Sequence, residues 1–341
     1  MLSLQNRIDL MVALGGQLRN GSEAQDAAIR RAVAHNGWFT PETIGTAIEN
    51  IVSGYLQRDA LEAWAEHYQV PEAPTSPRQT IGLIPAGNIP MVGFHDVLSI
   101  FIAGHRTLLK LSDRDKQLLP YCYHILADLE PRISAWIQFV DRLEGFDAVI
   151  ATGSDNTARY FKTYFGKYPH IIRRNRTSVA ILTGSETQQE LEQLGQDIFQ
   201  YFGLGCRNVS KVYVPESYDL DTLMRVLHEF KHLNTHTKYK NNFDYNITLS
   251  ILNKEEYRSN GAIILKENPS LHSRIAELHY ERYRDLKHLH ALLDAHRDDL
   301  QCIVGTAPAA TVPFGGAQQP ALTDYADGVD TMAFLVGIGV D

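Results

Sequence analysis

From Thr80 onward, short apolar runs alternate with helix-like stretches, and this alternation constrains the fold of the 341-residue chain more than any other feature. IGLIPA leads into a helical pattern over Val92 to Ala103. TLLKL follows, then a helix from Lys116 to Leu129, the strands WIQFV and DAVIATG, and a helix from Asp155 to Phe165. Strands this short and this apolar, each followed by a helix, belong in a largely parallel sheet covered on both faces. The prediction is a doubly wound α/β domain. After Tyr168 the pattern restarts, with SVAILTG as strand, Glu186 to Phe202 as amphipathic helix, KVYVPE as strand and Asp221 to His232 as helix. GAIILKE and LQCIVG supply further strands, and MAFLVGIGV a last one. The chain is long enough for two cores, so two α/β domains around a cleft are expected.

Before Thr80, residues 1–70 read as helices. Thr40-Pro41-Glu42 is a helix start, and Ile44, Ala47, Ile48, Ile51 and Tyr55 repeat with the helical period. The Pro-rich segment Pro71 to Gln79 reads as a linker. The expected domains are therefore a helical region at 1–70, a dinucleotide-binding domain at 78–172, a thiol domain at 173–318, and a C-terminal extension at 319–341 whose strand could pair across a homodimer.

Charge and cysteine content exclude several functions. Against 32 basic residues stand 40 acidic ones, a formal net charge of −8, which repels phosphate polymers and argues against nucleic acid as the partner. Cys122, Cys206 and Cys302 lie far apart with no CxxC spacing, so neither a disulfide framework nor a thiolate metal site is encoded. The fourteen histidines have no metal-ligand spacing, and His232, His236, His288 and His290 read as helix-surface residues. Asn6, Arg7 and Asp9 interrupt the apolar N-terminus, and His95, Asp96, His105 and Arg106 interrupt the most apolar internal stretch. No signal peptide, membrane span or metal is expected, and the location is read as cytoplasmic.

Four segments carry candidate chemistry. Cys206 lies in YFGLGCRNVS on a loop, where glycines allow close backbone approach to a carbonyl, and the Arg207-Asn208 pair is poorly suited to a core. A lone cysteine is as readily a small buried hydrophobe. DAVIATGSDNTARYF ends a strand at Gly153-Ser154 and starts a helix at once, so that its orphan N–H groups and dipole favour a pyrophosphate. The GxGxxG fingerprint is missing, and such junctions are often only structural. Lys110 ends a strand on the edge where open α/β sheets bind ligands, or is a solvated strand-end charge. In PAGNIPM, Asn88 sits between prolines in a rigid turn, where its amide could meet a developing oxyanion, though Asn also simply favours turns.

Taken in order, PAGNIP, LLKLSD, ATGSDNTAR, GLGCRN and the late VPFGG resemble the aldehyde dehydrogenase superfamily, from about residue 80 to the C-terminus. KYKNNFDYN and LTDYADGVDTMAFL make the chain look most like its LuxC-type acyl-CoA reductases. The resemblance implies two doubly wound domains around a cleft, with a shortened N-terminal region. It implies that Cys206 is the nucleophile and Asn88 an oxyanion donor, that Lys110 contacts the adenosine ribose, that Gly153 and Ser154 lie at the pyrophosphate, and that Pro313 to Gly316 form a wall near the substrate mouth. Asp113 stands where a carboxylate holds ribose hydroxyls, and Arg114 beside it could bind a 2′-phosphate. NADPH is the implied coenzyme, with NADH the other option.

The chain departs from the aldehyde-oxidising members in one telling place. They carry a glutamate that activates the deacylating water, whereas His170 to Leu182 contains no carboxylate. Without that base, hydrolysis loses a factor of roughly 10²–10⁴. Reduction of a fatty acyl-CoA, or of acyl groups on a carrier protein, to the aldehyde is then the expected activity. An acyl-phosphate reductase and a non-catalytic acyl-binding protein are the alternatives. Arg173, Arg174 and Arg176 could meet a coenzyme A phosphate, although a surface charge run is usually only solvated.

Overall fold

The computed structural model describes residues 2–72 and 79–338. The chain divides into two compact units, Met1–Asn175 with Pro320–Asp341, and Arg176–Gln319. Most of the linker expected at Pro71 to Gln79 lies outside the described residues.

The first unit begins with four helices, α1 (Leu4–Asn20), α2 (Glu23–His35), α3 (Pro41–Tyr55) and α4 (Arg58–His67). Ser3, Ser22 and Thr40 cap the first three through side-chain oxygens that accept otherwise orphaned N–H groups. Helix α3 starts with Pro41 in its first turn and buries Ile44, Ala47, Ile48, Ile51, Val52 and Tyr55 on one face. Then follow β1 (Thr80–Ile84), α5 (Phe94–Ala103), β2 (Arg106–Leu109), α6 (Leu118–Leu129), β3 (Ile137–Phe139), β4 (Ala148–Thr152), α7 (Asp155–Phe165) and β5 (His170–Arg173). The sheet order is β3-β2-β1-β4-β5, and every pair is parallel. From β1 the chain winds outward to β2 and β3, then returns to the other side of β1 for β4 and β5. The winding reverses between β1 and β4, which makes their carboxyl ends a switch point.

The second unit holds β6 (Thr177–Ile181), α8 (Gln188–Phe199), β7 (Val209–Pro215), α9 (Leu220–Leu227), α10 (Thr237–Asn253), β8 (Arg258–Ser259), β9 (Ile264–Glu267), β10 (Glu277–Tyr283), α11 (Leu286–Asp294) and β11 (Leu300–Val304). Its order is β11-β6-β7-β10-β9-β8, parallel except where β8 meets β9. Strand β10 escapes a periodicity reading because Glu277, His279 and Glu281 occupy positions where an apolar residue is expected. Buried lysines explain the two glutamates, with Lys266 Nζ 2.6 Å from Glu277 and Lys211 Nζ 2.5 Å from Glu281, while His279 Nδ1 lies 2.9 Å from the Ser270 carbonyl.

The last element corrects an expectation. Thr331–Gly337 is a helix, α12, not a strand; Asp330 caps it through Ala333 N–H, and it buries Thr331, Met332 and Leu335. Of the expected strand, which ran to Val340, residues 339–340 lie outside the described residues. An apolar run of seven gives no period that separates strand from helix, and here the cap decides. Helix α12 packs on α5 within the first unit. No helix among the described residues is long and apolar enough to cross a membrane.

Candidate functional site

In the first unit, three loops meet at the carboxyl edge of the sheet. Asn88 is half-buried in the turn that follows β1, Lys110 is exposed one residue past β2, and Gly153 and Ser154 follow β4. The register places these ends side by side, with Leu83 opposite Leu109 and Ile84 opposite Ala151. Residue types that looked bland one at a time thus share the switch-point edge.

Side chains that the sequence reading passed over hold those loops. The buried Asp115 carboxylate accepts the N–H groups of Met91, Gln117 and Leu118 at 3.2, 3.4 and 3.2 Å, joining the loop after β1 to that after β2. Met91 needs that anchor, since its backbone is left-handed at φ 56°. Gly87 lets the two loops touch, because a Cβ there would lie 2.4 Å from Ser112 Oγ. From the helical region, His35 Nε2 lies 2.6 Å from the Asp113 carbonyl, and Asn36 donates to the Arg114 carbonyl at 3.2 Å. Residues 1–70 therefore do more than pack, since the C-terminal end of α2 grips the loop that bears Asp113 and Arg114.

Asp113 is ion-paired with Lys116 at 2.5 Å, and this lysine, followed by Lys110, holds its carboxyl below the usual range. Lys116 was not foreseen, although its spacing three residues after Asp113 was a readable signal. At Gly153 the reason for a glycine is partly different from the one expected. A Cβ there would meet Thr157 at 2.8 Å and Phe161 at 3.1 Å, so α7 itself requires the bare backbone. Ser154 caps α7, its Oγ accepting from Thr157 N–H at 3.4 Å. The amino end of α7, exposed Lys110 and the Asp113–Arg114–Lys116 loop offer N–H groups, cations and a carboxylate, the kinds of group that could hold a phosphate and a ribose.

Arg173 is a correction. It is buried at 4 % exposure, donates to both Asp96 oxygens at 2.7 and 2.9 Å, and reaches Thr331 Oγ1 at 2.9 Å. It joins β5 to α5 and α12 and is not available for a coenzyme A phosphate. A buried charge needs this pairing, and the sequence did not show which of three arginines had a partner. Arg174 N–H bonds the Asp327 carboxylate, and Arg176 donates to the Leu300 carbonyl.

In the second unit Cys206 lies in a four-residue turn, Gly205 to Asn208. Asn208 N–H closes it onto the Gly205 carbonyl at 3.1 Å, and Gly205 N–H returns a bond to Asn208 Oδ1 at 2.8 Å. Contrary to the sequence reading, Asn208 is a core residue, 3 % exposed. Its Nδ2 donates to the carbonyls of Asp197, Ile198 and Gln200, which end α8, at 3.1, 3.3 and 2.8 Å. Ser178, at the start of β6, donates to the Cys206 carbonyl at 3.0 Å and accepts Cys302 N–H at 3.2 Å. The turn thus sits at the amino end of β7.

The approach to this turn is strained. Tyr201 and Phe202 are both left-handed, at φ 54° and 58°, and Gly203 continues at φ 76°. A non-glycine residue there costs roughly 1–2 kcal/mol. Burial of both rings and stacking of Phe202 on His236, 4.2 Å between centroids, hold this turn of the chain after α8. His236 is accordingly a cap and stacking partner for α10 and Phe202, not a plain surface residue.

The three cysteines separate by environment. Cys122 and Cys302 are buried and Cys206 only partly so. Burial pushes the Cys122 thiol up to about 12 and raises that of Cys302 as well. A buried thiol kept protonated is inert, which leaves Cys206 as the candidate nucleophile. Glu186, which follows the carboxylate-free stretch, accepts N–H groups from Thr183 and Gly184 at the carboxyl end of β6, the opposite edge from the thiol turn. Among the described residues no group of three His, Cys, Asp or Glu is placed to hold a metal ion.

Pro313 to Gly316 form a turn closed by Gly316 N–H on the Pro313 carbonyl at 3.0 Å. Gly315 is left-handed at φ 78°. Asp197, fully buried near the end of α8, accepts Gly315 N–H at 2.7 Å and Ala317 N–H at 3.0 Å. Sequence reasoning missed Asp197, since an aspartate within an amphipathic helix gives no sign of burial.

No family model and no curated protein matches the sequence. Solved structures do match. Aldehyde dehydrogenase 21 of Physcomitrella patens, in complex with the reaction product succinate, superposes with a TM-score of 0.70 at 11% identity over 98% of this chain and 84% of that one. The NAD-dependent aldehyde dehydrogenase of Sinorhizobium meliloti gives 0.67 at 13% identity, over 89% and 70%. Betaine aldehyde dehydrogenase of Staphylococcus aureus in complex with NAD+ gives 0.65 at 12%, over 91% and 74%. With its two largely parallel α/β sheets in this order, the chain has the aldehyde dehydrogenase fold.

Proposed function

We propose that the chain is a nicotinamide-dependent reductase of fatty acyl thioesters of the LuxC type, acting through acyl-Cys206. The observation that carries the reading is a partly exposed thiol on a rigidly built turn, in a chain with no carboxylate from His170 to Leu182. The Cys206 thiolate attacks the thioester carbonyl, an oxyanion forms, and its collapse expels the coenzyme A or carrier thiol, leaving the acyl group on sulfur. Asn88 keeps the oxyanion role that the resemblance gives it. A nicotinamide coenzyme, when bound, would supply the hydride that takes the acyl group to the aldehyde. Breaking the carbon–sulfur bond returns the thiolate of Cys206.

Lys110, Asp113, Arg114, Gly153 and Ser154 would hold the coenzyme. Lys116 pairs with Asp113, which lessens repulsion of a 2′-phosphate and supports NADPH over NADH. Water is the competitor for the acyl group, and without a positioned base it loses a factor of roughly 10²–10⁴.

Intact mass after incubation with long-chain acyl-CoA tests this. The wild type should gain one acyl mass, Cys206→Ala should gain none, and NADPH should discharge the adduct with release of aldehyde. Adduct formation only with acyl phosphates would move the assignment to that substrate class, and binding without adduct would end the covalent reading.

A further inference from the structure

A closed circuit of hydrogen bonds links the thiol turn to the Pro313–Gly316 turn within the second unit. Asn208 Nδ2 donates to the Asp197 carbonyl at 3.1 Å. The carboxylate of the same Asp197 accepts Gly315 N–H and Ala317 N–H. Arg207, next to Asn208, then donates to the Ala317 carbonyl at 3.4 Å, which completes the ring. One residue, Asp197, therefore meets one turn through its backbone oxygen and the other through its side chain.

We propose that Asp197 is a positioning residue that fixes the Cys206 turn and the Pro313–Gly316 turn as one preformed unit for acyl transfer. Each turn is closed by its own hydrogen bonds, yet each depends on left-handed backbone that its surroundings must hold. The first is entered through left-handed Tyr201 and Phe202, and the second turns on left-handed Gly315. Loops of this kind sample other shapes unless their surroundings over-determine them, and a reacting group misplaced by about 1 Å can lose 10²-fold in rate. Asp197 supplies two acceptors to the Gly315–Ala317 backbone. The close fit of Gly315 against Gln193 of α8, where a Cβ would lie 3.2 Å from Gln193 Cβ, keeps that backbone within reach. Asp197 is not itself a reacting group, because its side chain is fully buried.

The inference rests on the assignment of Cys206 as the acylated thiol, and two readouts separate the two ideas. The first is the rate of Cys206 acylation by acyl-CoA. The second is the pH profile of Cys206 alkylation by iodoacetamide, mapped by peptide mass, which requires no acyl substrate. Asp197→Ala should lower the acylation rate by at least about 10-fold and shift the alkylation profile by about half a pH unit or more. Asp197→Asn keeps the shape and one oxygen acceptor, so it should recover part of the rate, and it serves where the alanine variant does not fold. A residue that only stabilised the fold would lower the melting temperature and leave both readouts of the folded protein unchanged. Acylation and alkylation both within a factor of two of wild type in folded Asp197→Asn and Asp197→Ala would overturn the proposal. If no thioester acylates the wild type, the reductase assignment fails, while a shifted alkylation profile in the variants still supports the brace.

Discussion

The carboxyl edge of the first sheet and the thiol turn of the second unit are both loop-built, yet they are held in opposite ways. At the first edge the groups offered to a ligand are exposed: Lys110 and Arg114 are open to solvent, and the Asp113–Lys116 pair lies at the surface. Its anchors, Asp115 and the α2 residues His35 and Asn36, act on backbone from behind. Around Cys206 the anchors are buried and saturated, with Asn208, Ser178 and Asp197 each making several bonds. A nucleotide is recognised by charge and hydroxyl contacts that tolerate small shifts, whereas a covalent step demands a fixed thiol. The construction of each region matches the tolerance of the task proposed for it.

The comparison can be strained most by removing a buried charge from the first unit. Arg173→Ala leaves the buried Asp96 carboxyl without its partner and should cost about 3–5 kcal/mol in urea unfolding. The double variant Asp96→Leu with Arg173→Met should regain most of that loss. A small effect of the single change would show that the pair does not hold β5 to α5 and α12.

Next in size is a pH effect at Asp197. Burial, set against the two N–H bonds, pushes its carboxyl up to about 6 from the usual 3.8. A carboxyl raised in the folded state favours folding fully below the unfolded value and loses that contribution as pH rises through about 6. The difference corresponds to ~3 kcal/mol at 1.36 kcal/mol per pH unit. The stability of wild type relative to Asp197→Asn should therefore rise by most of that amount, ~2.4 kcal/mol, from pH 7 to pH 4, read from urea melts at both pH values. A flat difference would mean that the carboxyl is not raised.

The smallest effects belong to the exposed edge. Lys110→Ala should weaken coenzyme binding by about 10-fold, worth ~1.4 kcal/mol. Lys116→Ala, which frees the Asp113 charge, should weaken NADPH more than NADH by a few fold. Titration of both coenzymes by fluorescence checks this, and equal losses would remove Lys116 from any part in 2′-phosphate tolerance.

Much of this was legible in the chain because it is written in local chemistry. The alternation after Thr80 marks parallel strands and crossover helices; Thr40-Pro41 marks a helix start; Gly-Leu-Gly-Cys marks a turn. The misses share a cause. Asn208, Asp197 and Arg173 are polar residues that the fold buries, and a sequence shows their polarity but not the partners that make burial affordable. Glu277, His279 and Glu281 hid β10 for the same reason, and the ends of the Thr331–Gly337 run hid a helix whose cap, Asp330, was present but unread.

By itself the sequence determined two α/β units, the order of their elements, a single cysteine on a glycine-rich turn, and the absence of a carboxylate from His170 to Leu182. Those properties depend on periodicity and residue type, which neighbours in the chain already set. Only the tertiary structure decided which polar groups are buried and with whom. Hydrogen bonds such as those of Asp197 to Gly315 and Ala317, and of Arg173 to Asp96, join residues about 118–120 and 77 positions apart. Their geometry exists only after the sheets and helices have packed.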